Sequence, residues 1–290
     1  ERISSYYPYL TSIAQNRYYV LGDKERVNGS ALNALGNTDL QWETSEQYNA
    51  GIDLGFLSQR LTATVDVYLR KTDNILLSES VPRLSGTGSI IRNVGGMENR
   101  GIELSLGWKD DIGEFSYSLD GNVSLVRNKV THLGTSGILQ ANGLTYDYAL
   151  IDFQGQFNNI IRSTVGNPYG RFYGYEVLGI FQNQAEIDNY KNADGKVIMP
   201  KAKPGDTKFA DIDGDGKISS SDMTVIGDPN PTAVFGLSFN ANWKGFDLSL
   251  LFQGTCGNDI FNASKFYFEK FDGRQNALKS SYKTGWNGEG

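Results

Sequence analysis

A chain of 290 residues has room for one large β domain or two ordinary domains. Its formal charge of -6 and pI near 5.0 exclude a nucleic-acid partner, which needs clustered Lys and Arg to displace counterions. With 1 Cys and 1 His, an internal disulfide, a His-rich metal site and a set of catalytic imidazoles are excluded too, so Cys256 and His132 are read as structural.

The 34 Gly, 16 Tyr and 15 Phe against 3 Met point to a mostly β chain, because turns take glycine and pleated, half-buried surfaces take aromatics. The opening stretch "ERISSYYPYL" has no charged start followed by an apolar run, so no signal peptide is expected within it. No run of 18 apolar residues occurs anywhere, which excludes a transmembrane helix and leaves a β-barrel open, since a barrel hides its lipid face in alternation.

Period-two patterning then appears three times in chain order. Ile52, Leu54 and Phe56 alternate with small or polar residues, and after "SQR" Leu61, Ala63, Val65, Val67 and Leu69 do the same, which predicts a hairpin near 45–70. Ile102, Leu104, Leu106 and Trp108 return through "KDDIGE" as Phe115, Tyr117, Leu119, Val123 and Leu125, a hairpin near 102–126. Phe235, Leu237, Phe239, Ala241 and Trp243 turn at Lys244 and Gly245 into Phe246, Leu248, Leu250 and Phe252, a hairpin near 233–253.

Each predicted strand runs to about ten residues, the length that crosses a bilayer when tilted. The predicted connections at 71–97, 128–231 and 254–290 are long and rich in Gly, Asn, Asp and Ser. Short turns on one side and long loops on the other are the asymmetry of an outer-membrane barrel, with the long loops extracellular. Trp108, Phe115, Trp243, Phe246 and Phe252 are expected near strand ends as an interfacial girdle. The competing architecture is a soluble β-sandwich, in which the same alternation would face a protein core.

Residues 211–222, "DIDGDGKISSSD", have the spacing of a calcium loop. Asp211, Asp213 and Asp215 would bind the ion through carboxylates, Lys217 through its carbonyl, Ser219 directly or through water, and Asp222 from the twelfth place, with Gly216 making the turn. Such a loop also suggests a secreted calcium-dependent adhesion or scaffold module of the dockerin kind. There, however, a helix and a second loop should follow, whereas "GDPNPT" breaks any helix here.

Tyr146, Tyr148, Phe153, Phe172, Tyr173 and Tyr175 could stack on sugar rings or pack the segment against its neighbours, and packing is the commoner use. "QAEIDNYKN" at 184–192 is a candidate short helix. No nucleophile is paired with a base, and "GTGS" at 86–89 is loop composition rather than a phosphate cradle, so no enzyme is expected.

Four stretches carry a family resemblance: "GNTDLQWETSEQYNAGIDLGFLSQRLTATVDVY", "NVGGMENRGIELSLGW", "VGNPYGRFYGYEVLGIFQN" and "DIDGDGKISSSDMTVIGDPNPTAVFGLSFNANWKGFDLSLLFQG". Together, and in this order, they resemble the C-terminal part of the SusC/RagA-type TonB-dependent outer-membrane transporters. The resemblance implies an all-β chain that is part of a large antiparallel transmembrane barrel of 22 strands. It further implies an N-terminal plug outside this chain, a SusD-like surface lipoprotein over the barrel, and the TonB complex driving import of oligosaccharides or peptides. Dimers of transporter–lipoprotein pairs are a further implied assembly. Residues 1–290 are therefore expected to be one part of a longer barrel protein in the bacterial outer membrane, with Ca2+ as its bound ion and its substrate-contacting residues unassigned.

Overall fold

Six strands pair in one antiparallel sheet with almost no slip, and that register decides which side chains share a face. In the computed structural model, residues 1–6, 23–24, 82–83, 85, 88, 135–147, 154–156, 270–275, 277, 287 and 289–290 lie outside the described part of the chain. The sheet contains β3 (Thr44–Phe56), β4 (Leu61–Ser80), β5 (Ser89–Ile112), β6 (Phe115–His132), β13 (Ala233–Trp243) and β14 (Phe246–Cys256), in the spatial order β14-β13-β6-β5-β4-β3. Ahead of it β1 (Ser12–Leu21) and β2 (Glu25–Ala34) form a separate antiparallel pair.

Reading across the ladder, Ile52 lies beside Val65, Val65 beside Leu104, Leu104 beside Val123, and Val123 beside Phe235. Two residues further along, Leu54, Ala63, Leu106, Gly121, Leu237 and Phe252 make a second apolar row, and Phe56, Leu61, Trp108, Leu119, Phe239 and Leu250 a third. The rows between them are polar: Asp53, Thr64, Ser105, Asn122, Gly236 and Gln253 point to the opposite face. Leu251 is an apolar exception on that side.

Along β13 the apolar residues run from Ala233 to Trp243, and eleven residues at a rise of ~3.3 Å and a tilt near 40° give a band about 25 Å tall. That is the height of a lipid-facing band.

The residues of this band stand exposed. Ile52, Leu54, Ile102, Leu106, Leu237, Leu248 and Phe252 are each between 39% and 60% exposed. A sandwich would have buried these rows, so the architecture is that of a piece of barrel wall. No described helix is long and apolar enough to cross a membrane, which says nothing of strands.

The three tight turns sit at one end of the sheet. β5 and β6 are joined by Gly113 (φ +64) and Glu114, with positive φ at the first position only, and β13 and β14 by Lys244 (φ +48) and Gly245 (φ +83), with positive φ at both; each is a form that matches strand twist. The β3–β4 turn takes Leu57, Ser58 and Gln59 through positive φ in succession. Arg60 pairs with Asp110 there and lies 5.5 Å from the Trp108 ring, whose Nε1 donates to the Tyr117 hydroxyl at 3.1 Å. Trp243 and Phe246 flank their turn, but Phe252, expected near a strand end, lies opposite Leu237 in the middle of the band.

At the other end the strands outrun the band. β4 is 20 residues, β5 24 and β6 18, not about ten, and residues 71–80 and 89–97 are strand rather than loop. Alternation of apolar and polar residues stops where the membrane does, while the backbone ladder continues in water, so periodicity alone could not reveal the extension. Asn93 ties the preceding stretch to it, donating to the carbonyls of Gln41 and Asn74 at 2.8 Å and accepting from Gln41 N–H at 2.9 Å.

The segments expected as long loops are also largely structured. Residues 150–162, 170–230 and 258–290 form a second compact unit. Elements of this part of the chain are β7 (Tyr148–Phe153), β8 (Phe157–Thr164), β9 (Arg171–Tyr175) and β12 (Met223–Gly227), in the sheet order β12-β9-β8-β7. β10 (Val177–Ile180) pairs with β11 (Thr207–Phe209), and α1 (Gln184–Asn189) is the helix read from the sequence. α2 (Ala263–Glu269) and α3 (Lys279–Thr284) follow β14.

Gly245 has open space around its α-carbon, so a side chain there meets no neighbour and pays only the left-handed backbone penalty. Gly245→Val is therefore expected to destabilise the barrel by about 1–3 kcal/mol. The midpoint of urea-induced loss of the heat-modifiable band of the full-length protein measures this, and an unchanged midpoint would contradict the assigned turn.

Candidate functional site

The loop at 211–222 is built between β11 and β12 on a small core of its own. Phe181 and Ile187 are fully buried, with Ile198 nearly so, and the Phe181 and Tyr190 rings meet at 5.9 Å. Lys208 lies 4.7 Å from the Tyr190 ring centre, and the Tyr190 hydroxyl donates to the Phe209 carbonyl at 2.6 Å. Burial, and then the negative charge of Asp211 and Asp222, push the Tyr190 phenol up despite a lowering hydrogen bond near Asp211, so it stays a neutral donor.

Within the loop each aspartate first folds its own turn. Asp211 accepts from Gly214 N–H at 2.8 Å on one oxygen and from Gly216 N–H at 2.9 Å on the other. Asp213 accepts from Asp215 N–H at 3.1 Å, and Asp215 from Lys217 N–H at 2.9 Å. Gly216 has φ +82, and a β-carbon there would strike the Asn192 side chain, so both conformation and space demand glycine. Asn192 in turn accepts from the N–H groups of Asp194 and Lys196 at 3.1 and 2.9 Å. The sequence reading missed this buttress, although Asn192 followed by Asp194 and Gly195 is the signature of an Asx turn.

The result brings ligand oxygens of Asp211, Asp213 and Asp215 within 4.8 Å of one another. Two ligands of one calcium ion, each bonded at 2.3–2.6 Å, can lie no more than about 5 Å apart, so the three are within range of a common ion. Asp213 and Asp215 are exposed and Asp211 half-buried. Lys217 Nζ reaches Asp215 at 3.6 Å from the solvent side and leaves the other two carboxylates uncompensated.

Ser219 and Asp222 have a structural task as well. Asp222 is fully buried and accepts from Ile212 N–H at 2.8 Å, Asp213 N–H at 3.4 Å and Ser219 N–H at 2.7 Å. Burial alone would raise its carboxyl, but the amides of Ser219, Ile212 and Asp213 outweigh that and hold it below the usual carboxylate range. Ser219 caps the 3-10 turn Ser220–Asp222 by accepting from Ser221 N–H at 3.1 Å, which with Asp222 completes a capping box. A carboxylate has about four acceptor positions, so these three bonds leave Asp222 one at most, and it is not among the three carboxylates whose oxygens cluster.

The aromatics singled out in this segment are used for packing where their side chains are described. Phe172 meets Phe261 at 6.2 Å, Tyr173 lies under the Arg162 guanidinium at 3.3 Å, and Tyr175 meets Phe209 at 5.4 Å. Tyr146 lies outside the described residues, and Tyr148 and Phe153 are described by backbone alone, in β7. The strand β12, and no second loop, follows the acidic loop.

Comparison with known proteins adds kinship. The family model for TonB dependent receptor-like β-barrels matches residues 4–197. The chain is 35% identical over 246 residues to the TonB-dependent receptor P3 of Formosa agariphila, covering 84% of this chain and 23% of that protein. It is 28% identical over 229 residues to the TonB-dependent receptor SusC of Bacteroides thetaiotaomicron, covering 78% and 20%. Among solved structures, the RagAB peptide transporter superposes with a TM-score of 0.68 at 24% identity, covering 98% of this chain and 29% of that one. The RagAB peptide importer in its open-open state superposes with 0.66 at 25%, covering 92% and 26%. The chain thus spans about a quarter of the length of the relatives it matches.

Asp222→Ala would leave three amides without their acceptor in a buried site, at a cost of about 3 kcal/mol to the second unit. Hydrogen exchange in the full-length protein should then accelerate together at Ile212, Asp213 and Ser219, and unchanged protection there would show that Asp222 does not organise the loop.

Proposed function

The chain belongs to the TonB-dependent receptor β-barrel family, and from that premise we propose that it supplies wall strands and outward-facing segments of an outer-membrane importer for oligosaccharides or peptides. The observation that carries the reading is the two-faced sheet: a continuous, exposed apolar band on one side, and Asp53, Thr64, Ser105 and Asn122 in line on the other. The apolar face meets lipid and the polar face lines the lumen. The tight turns at 57–60, 113–114 and 244–245 are periplasmic, and the connections at the opposite end are extracellular.

A SusD-like lipoprotein covers the extracellular segments, and the TonB complex energises the whole transporter. Kinship with a receptor named SusC and likeness to the RagAB peptide transporter support this partnership, and peptide is the cargo class of the latter. The loop at 211–222 holds Ca2+ through Asp211, Asp213 and Asp215, with the Lys217 carbonyl, Ser219 and Asp222 completing the shell. The ion cancels the mutual repulsion of three clustered carboxylates and so keeps an extracellular segment folded.

Two experiments test these statements. Ser58→Cys and Lys244→Cys in a Cys256→Ser background are expected to resist an impermeant maleimide on intact cells, while Asp194→Cys and Lys201→Cys react; the reverse pattern would invert the topology. Copurification of the neighbouring lipoprotein in mild detergent addresses the partner.

For the ion, chelation should raise proteolysis between 205 and 230 without unfolding the barrel. Asp213→Ala should mimic chelation and abolish any further effect of it. At tenfold saturation the ion contributes about 1.4 kcal/mol, and equal cleavage with and without calcium would refute the site.

A further inference from the structure

The apolar face ends abruptly at a row of unlike character. Two residues beyond Ile102 and Leu125, the same face carries Tyr48, Leu69, Arg100 and Arg127, paired in that order across β3, β4, β5 and β6. Arg100 and Arg127 are directly opposite in the ladder, where β-carbons lie about 4.5–5.5 Å apart and like charges repel. Both side chains are exposed, and among the described residues neither guanidinium has an ion pair or a hydrogen bond.

The next row out shows what a balanced arrangement would be. There Glu46, Lys71, Glu98 and Lys129 alternate in sign across the same four strands. The Arg row has no such partner, and Glu98, diagonal to Arg127, makes no ion pair with it. Beside the pair is an open concavity of about 530 Å³ whose lining includes Leu69, Arg100, Ile102, Leu125, Arg127 and Thr232. Its floor is apolar and continuous with the lipid-facing band, and its rim carries the two guanidinia together with one carboxylate, that of Glu98, for a net positive charge.

We propose that Arg100 and Arg127 form a binding site for the phosphate of an anionic lipid in the outer leaflet of the surrounding membrane, with its acyl chains lying on Ile102 and Leu125. Position selects the lipid over a soluble anion: the two guanidinia stand at the border of the apolar band, on the face turned to lipid and at the end away from the tight turns. Guanidinium is also the side chain suited to a phosphate at a weakly hydrated interface, because its fork of N–H groups can bind two oxygens at once. Tyr48, 63% exposed in the same row, marks the headgroup level as interfacial aromatics do. The proposal rests on the barrel reading above.

The test uses the full-length transporter, delipidated in neutral maltoside detergent and followed by native mass spectrometry. The probes are phosphate-bearing lipid A, phosphatidylglycerol and phosphatidylcholine, with inorganic phosphate as competitor. Lipid A and phosphatidylglycerol are expected to bind at least tenfold more tightly than phosphatidylcholine. The double variant Arg100→Gln/Arg127→Gln should weaken them by roughly twenty-fold, taking a few-fold per surface cation.

Arg100→Lys/Arg127→Lys, which keeps the charge and loses the fork, should bind with an affinity between those of the wild type and the Gln pair. Lys71→Gln/Lys129→Gln, which removes the same charge one row further out, should change it less than about threefold. Heat-modifiable mobility confirms that each variant is folded. Equal binding by wild type and the Arg-to-Gln pair would overturn the site, and full displacement by millimolar inorganic phosphate would show a free-anion site instead. If the barrel reading itself were wrong, the protein would not fractionate with the outer membrane, a result separate from any of these.

Discussion

The structure depends on one constraint: the register of the six-stranded ladder. Side chains alternate between faces with a period of two, so slipping any one strand by a single residue would bring its whole apolar set to the polar side. From Ile52 to Phe235 the rows stay aligned through five strands without a bulge in the membrane band. The irregularities of β4 and β5, between Thr72 and Ile75 and between Gly96 and Met97, fall beyond it, where water can satisfy a broken ladder. Tight turns at Gly113 and at Lys244–Gly245 hold the register from one end, because a two-residue connection admits only one alignment of its strands.

A sheet of this kind has no core in the usual sense. Its buried apolar residues are few, Ile75, Val130 and Ala233 among them, and the first two lie past the band. Lipid takes the place of a second layer, which is why Leu, Val and Phe can stand half exposed along every strand without a partner sheet. Within the bilayer the backbone hydrogen bonds must all be made between strands, and the outermost strands, β3 and β14, have one free edge each in this chain. Those edges are the places where further strands of a closed barrel would pair.

Beyond the membrane band the physics changes to polar stitching. Asn93 fastens residues 41 and 74, the Arg92–Glu79 pair at 2.8 Å sits half-shielded between extended strands, and Asp222 gathers three amides in the second unit. These are hydrogen bonds to groups that would otherwise be left unpaired, and their value lies largely in that avoided loss. The acidic loop follows the same logic. Its carboxylates are first used to shape turns, and the shape then crowds Asp211, Asp213 and Asp215 into a concentration of charge that favours a cation.

The sequence by itself determined the class of the fold and the identity of its faces. Alternation in "LTATVDVYL" or "FGLSFNANW" can only be satisfied by a sheet with unlike sides, and the glycines at the turns show where it reverses. The spacing of Asp211, Asp213 and Asp215 was legible for the same reason, since ligand geometry is local to one loop. Only the tertiary structure decided how far the strands continue. Past Leu69 and Arg100 the residues no longer alternate, and a backbone ladder in water leaves no trace in side-chain pattern. Tertiary structure alone also set Arg100 opposite Arg127 and placed Asp222 under Ile212 and Ser219. Pairings across strands and the burial of one carboxylate are properties of register and packing, which join residues that the linear order keeps apart.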